Sequence, residues 1–182
     1  MHRVQAYITL AIILIGGIVI LYLPLLFYFK KQGISMIRQV SYLGLICSLF
    51  LIIFVTLLFV PINLKNHTIN LIPFLWLKED IAFQQMLIEK IPNIILFIPL
   101  GFFLPLVFNK LRSLSQILIT SFLVTFSVET IQFFIGRSCD IDDIITNLIG
   151  AILGYLIYVM MEKYFHHNKF WQKMNINKIN KV

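Results

Sequence analysis

Charge is what this sequence has least of. Only eight Asp and Glu residues stand against fifteen Lys and Arg among 182 positions, and 13% of the chain is charged. A soluble domain carries about 25%, so an ordinary soluble globule is excluded. The two cysteines, Cys47 and Cys139, are too few for a disulfide framework and too far apart for a CxxC metal site. No phosphate-binding glycine loop and no HExxH pattern occurs, so the sequence leaves the cofactor unknown. What remains is apolar: 59% hydrophobic residues and a mean hydropathy of +0.90. The net charge of +7 does not point to nucleic acid, because the basic residues lie in short loops and a tail between apolar runs. There they act as topology signals. The composition predicts an all-α, polytopic helical membrane protein, integral in the membrane.

Five apolar runs are long enough to span, at about 20 residues per crossing. They lie near Tyr7–Phe29, Val40–Val60, Ile91–Phe108, Leu114–Ile135 and Ile141–Met161. The first has no small-residue cleavage site after it and reads as a retained anchor. The third carries Pro92, Pro99, Gly101 and Pro105 and is expected to be kinked or broken, lying against other helices rather than facing lipid on all sides. Three regions follow: an N-terminal anchor with a basic loop over 1–38, a membrane domain over 39–161, and a basic, partly disordered tail over 162–182. Within the long loop 62–90, LKEDIAFQQMLIEK suggests an interfacial helix, with Trp76 at headgroup level.

Lys and Arg cluster in the loop after the first span, in the turn between the third and fourth, and in the tail. If the spans alternate, these three segments share one side. The positive-inside rule then puts the N-terminus outside and the C-terminus in the cytoplasm of a multi-pass plasma-membrane protein.

Four of the eight acids fall between Glu129 and Asp143. Glu129 and Gln132 are one turn apart on the fourth span. Asp140 is placed to cap the fifth, with Asp142 and Asp143 in its first turn, where acids complement the helix dipole. Asp143, Asn147, Gly150 and Gly154 share one stripe, its small residues allowing a neighbouring helix to approach closely. Arg137 lies in the linker, and Asn93 near the outer end of the third span. The candidate ligand-binding set is therefore Asn93, Glu129, Gln132, Arg137, Asp140, Asp142, Asp143 and Asn147, at one depth in the outer leaflet. Charge within a membrane segment is costly and by default functional.

Three readings of this set compete. It is structural, with Arg137 paired to Glu129 or an Asp and Asn147 bonded across helices. Or it binds a lipid or amphipathic ligand, Arg137 holding a phosphate. Or it is catalytic on a lipid headgroup, with Glu129 as acid or base and Asp140 with Asp143 on Mg2+ or Ca2+. Ser138 and Cys139 have no histidine base beside them. Arg137 would lower the Cys139 pKa and Asp140 would oppose it, which favours an inert thiol. Ion pairs in apolar surroundings often fail to offset desolvation, which weakens the purely structural reading.

NLIPF (70–74), NIILFIPLGFFLPL (93–106), SVETIQ (127–132) and GRSCDIDDIITNLIGAILGY (136–155) together resemble the VanZ-like family of small bacterial membrane proteins. The combination E-x-x-Q, R-x-x-D-x-D-D and N-x-x-G-x-x-x-G carries the resemblance over roughly residues 40–160. It implies a role at the cell envelope. The family's namesake is associated with low-level resistance to the lipoglycopeptide teicoplanin, so the implied partner is a membrane lipid or a lipid-tailed antibiotic. A membrane enzyme acting on a lipid headgroup and an assembly partner of another membrane protein are the alternatives. The first span and the Lys/Asn tail lie outside the strongest match.

Overall fold

In an apolar environment every backbone N–H and C=O must be satisfied within the chain, and a helix does so locally. The computed structural model describes residues 2–58, 68–74 and 83–175, with side chains described except at residues 2–15, 21, 58, 83–87 and 89. Helices dominate: α1 (His2–Lys31), α2 (Met36–Ile53), α3 (Phe83–Val107), α4 (Leu114–Phe134), α5 (Ile141–Phe165) and the short α6 (Lys169–Met174). Two strands of two residues each, β1 (Ile69–Asn70) and β2 (Cys139–Asp140), pair in parallel, Ile69 opposite Cys139 and Asn70 opposite Asp140.

Among the described residues, four helical stretches are long and apolar enough to cross a membrane: Met36–Leu57, Lys90–Val107, Leu114–Phe134 and Ile141–Phe165. They match the second to fifth expected runs. α1 is helical throughout the first expected run, much of whose side-chain placement lies outside the described residues.

The chain turns back at each end by local signals. Ser35 caps α2 by accepting from the Arg38 N–H, and Ser113 forms a capping box with Gln116 at the start of α4. α4 ends in a Schellman turn. The Gly136 N–H donates to the Phe133 carbonyl and the Arg137 N–H to the Gln132 carbonyl. Gly136 takes φ +84° there, a conformation that a residue with a Cβ adopts only with strain.

Of the two outcomes expected for this segment, kinked or broken, a break is not what forms: α3 stays helical through Pro92, Pro99 and Pro105. It lies against α2 and α5, with Phe97 and Leu100 fully buried, as that expectation also required. It starts two turns earlier than the hydropathy suggested. Residues 83–90, expected within an interfacial helix, are instead the first turns of α3; residues 77–82 and Trp76 lie outside the described residues.

Three glycines allow the central contact between α3 and α5. A Cβ on Gly101 would meet the Ala151 carbonyl, one on Gly150 the Ile94 carbonyl, and one on Gly154 the Ile98 carbonyl. The backbones therefore touch, as the small-residue stripe on α5 predicted.

At the end of the bundle opposite β1 and β2, α6 folds back over α2 and α5. Trp171 and Met174 pack with Leu106 and Tyr158. The Ser41 hydroxyl donates to the Met174 carbonyl at 3.1 Å. Glu162 accepts from the Trp171 indole at 2.6 Å and the Asn175 amide at 2.7 Å. The tail is thus docked as far as Asn175 and contains the helix α6, and residues 176–182 lie outside the described residues.

Candidate functional site

The polar site forms where α3, α4 and α5 end beside the β1–β2 pair. Asp140 is its hub. As N-cap of α5, it accepts from the Asp142 N–H at 2.9 Å and from the Asn70 side-chain amide at 3.2 Å. Its own N–H donates to the Glu129 carboxylate at 3.1 Å. Asp142 accepts from the Phe74 N–H at 2.9 Å, tying down a residue held at φ +57°, a conformation costly for a bulky side chain. The segment 68–74 is thus fastened to the α5 N-terminus by β1, by Asn70 and by Phe74.

Lys90 supplies the cation. Its ammonium lies 2.8 Å from Asp143 and 3.3 Å from Asp140, and the three side chains are 14%, 27% and 23% exposed. Glu129 and Asp142, by contrast, are buried. The site therefore has an inner row of carboxylates satisfied by backbone N–H groups and an outer row neutralised by lysine. Lys90 holds the position that the catalytic reading gave to Mg2+ or Ca2+. Among the described residues, no three His, Cys, Asp or Glu side chains are grouped closely enough to hold a metal ion.

Arg137 does not form the expected pair with Glu129 or an aspartate. Its guanidinium donates to the Thr56 carbonyl at 2.8 Å, and Gln132 donates to the same oxygen at 3.0 Å. Thr56 lies in a π-helical turn, Phe54–Leu58, that continues α2. Such turns depart from the i→i−4 ladder and often occur at functional sites. The described ion pairs both belong to Lys90, because the Schellman turn aims Arg137 at α2 rather than at the acids.

Asn147 donates to the Thr125 hydroxyl at 2.8 Å, the expected bond across helices. Its Oδ1 and the Ser121 hydroxyl are buried without hydrogen-bond partners among the described residues. Asn93 is half-buried on α3, three residues after Lys90, and makes none of the cluster's hydrogen bonds among the described residues. The structure thus gathers Glu129, Asp140, Asp142 and Asp143 into one network. It attaches Gln132 and Arg137 to α2 beside it, and places Asn147 one turn deeper on α5.

Burial pushes the Cys139 thiol above its ordinary pKa, and the carboxylates of Glu129, Asp140 and Asp143 raise it further. The expected help from Arg137 does not appear among these causes. The thiol is a poor nucleophile for physical reasons.

Residues 19–162 match the profile of the VanZ/LLP1 family, a range that includes every side chain of this network. The chain belongs to the VanZ/LLP1 family. It is 33% identical over 110 residues to Protein VanZ of Enterococcus faecium. That alignment covers 59% of this chain and 62% of the relative, so it spans less than two thirds of the relative's length. No solved structure matches the chain.

Two members of the network in this VanZ-family protein escaped the sequence reading. Hydropathy leaves Lys90 at the end of the loop 62–90, although it precedes Asn93 by three residues and so shares its helix face. Asn70 belongs to the NLIPF stretch, but nothing local marks it as a partner of a residue 70 positions away. Thr56 and Thr125 lie inside apolar runs, where nothing in the sequence distinguishes them from other span residues.

Proposed function

We propose that this VanZ-like protein is a multi-pass cell-envelope protein that binds a lipid or a lipid-tailed molecule, a teicoplanin-type glycopeptide included, at the polar end of the helical bundle. In this reading α1 is a fifth span, the N-terminus is outside, and the polar end faces the outer leaflet. One observation carries the proposal. The Lys90–Asp140–Asp143 triad is partly exposed at that end, while the acids behind it are already satisfied. A charged layer of this kind exceeds what capping one helix requires. It presents both signs of charge to a headgroup, amine or sugar at the membrane surface.

The test is expression in a teicoplanin-susceptible Gram-positive host. Wild-type protein is expected to raise the inhibitory concentration, and Lys90→Met and Asp143→Asn to reduce that gain at equal membrane levels. A wild-type protein without effect removes the glycopeptide from the proposal. Triad variants as effective as wild type remove the site. Lipid profiling of the same membranes is expected to show unchanged headgroups; a changed headgroup that depends on Asp143 would indicate catalysis instead.

A further inference from the structure

We propose that the apolar groove between α2 and α4 seats the acyl chain of an anionic phospholipid, with its phosphate at Arg137. The inference rests on the lipid-binding reading above and specifies the tail site and the headgroup charge.

The groove has a volume of about 580 Å³ and runs between two spans, with Ile53 and Leu57 on one wall and Leu123 and Ile131 on the other. That volume is within the usual range for small-molecule sites. The Ser127 hydroxyl in the lining does little to attract a polar guest, because it already donates to the Leu123 carbonyl at 2.7 Å. A hydrocarbon chain lying along the spans fits this lining.

The polar end of the groove selects the headgroup. Leu57 directly follows Thr56, whose carbonyl accepts from Arg137 at 2.8 Å. On the other wall Ile131 precedes Gln132, which donates to the same oxygen. A guanidinium has five donors in a rigid fork suited to phosphate, and among the described residues Arg137 forms no ion pair. The nearby acids do not cancel it by contact. Asp140 and Asp143 bind Lys90, Glu129 accepts from the Asp140 N–H, and Asp142 accepts from the Phe74 N–H. The Arg137 cation, held to Thr56 next to the groove-lining Leu57, complements a phosphate on a hydrocarbon tail.

The experiment offers purified full-length protein in detergent an equal mixture of phosphatidylglycerol and phosphatidylcholine with identical chains, and counts bound lipid by native mass spectrometry. Wild type is expected to retain phosphatidylglycerol about tenfold better, because both lipids carry the phosphate but the choline of phosphatidylcholine sets a second cation beside the guanidinium. Arg137→Gln is expected to bring the ratio close to one, and Arg137→Lys to restore part of it. Leu123→Trp and Ile53→Trp, at exposed positions on opposite walls, are expected to release both lipids. Equal retention of the two headgroups by wild type, or full retention by both tryptophan variants, would overturn the proposal. So would a wild-type dimer that the tryptophan variants split without losing lipid, because a second copy would then be the occupant. If Lys90→Met and Asp143→Asn alter retention while the groove variants do not, the groove falls and the triad reading stands. If only the groove variants release lipid, the groove stands and the triad reading falls.

Discussion

Lys90→Met offers the sharpest test of the polar end. The ammonium faces two carboxylates, at 2.8 and 3.3 Å, and all three side chains are between 14% and 27% exposed. At an effective dielectric of about 20, each contact is worth roughly 5–6 kcal/mol before desolvation and Asp–Asp repulsion are subtracted. Breaking a fully buried pair costs about 3–5 kcal/mol and an exposed one about 0–1. This partly exposed triad lies between, so the expected loss is about 2–3 kcal/mol, with Met keeping the length and packing of the stem. For a chain of this size that corresponds to a fall in Tm of roughly 5–10 °C. The assay is thermal unfolding of purified protein in detergent, for Lys90→Met, Asp143→Asn and the double variant. The double variant is expected to be less destabilised than the sum of the singles by about 1–2 kcal/mol, since the partners are in direct contact. A Lys90→Met protein as stable as wild type, or a strictly additive cycle, would refute the assignment of Lys90 as the counter-ion.

Other predictions follow from packing and burial. Gly101→Val sets a side chain against the Ala151 carbonyl and is expected to abolish folded protein in size-exclusion chromatography; Gly16→Ala, with open space around it, is expected to behave as wild type. Ser121→Ala removes a buried hydroxyl that has no partner among the described residues, so Tm is expected to hold or rise by the equivalent of about 1 kcal/mol; a clear fall would reveal a bond to that hydroxyl. Because the Cys139 pKa is raised, less thiolate is present at neutral pH, and maleimide labelling is expected to be slower than that of free cysteine and to climb until the pH exceeds the ordinary thiol value. Asp143→Asn, which removes one of the charges raising that pKa, is expected to speed labelling at pH 8; no change would show that the carboxylate does not reach the thiol.

Some features of this protein follow from local sequence. Long uncharged runs require helices wherever lipid replaces water, and Met36–Leu57, Lys90–Val107, Leu114–Phe134 and Ile141–Phe165 are such helices. The spacing of Asp140, Asp142 and Asp143 made the cap of α5 legible, and the spacing of Gly150 and Gly154 made its close-packing face legible, because helical periodicity alone decides which residues share a stripe. Tertiary structure decided who pairs with whom. Arg137, three residues from Asp140, turns to a carbonyl in the π-helical turn after α2. Lys90, 50 and 53 positions away in sequence, neutralises Asp140 and Asp143 instead. The glycine contacts between α3 and α5 bring those helices together, and the Schellman turn aims Arg137 elsewhere. The sign and location of each charge are properties of the sequence, but its partner depends on the rotation and depth of helices that only the packed bundle sets.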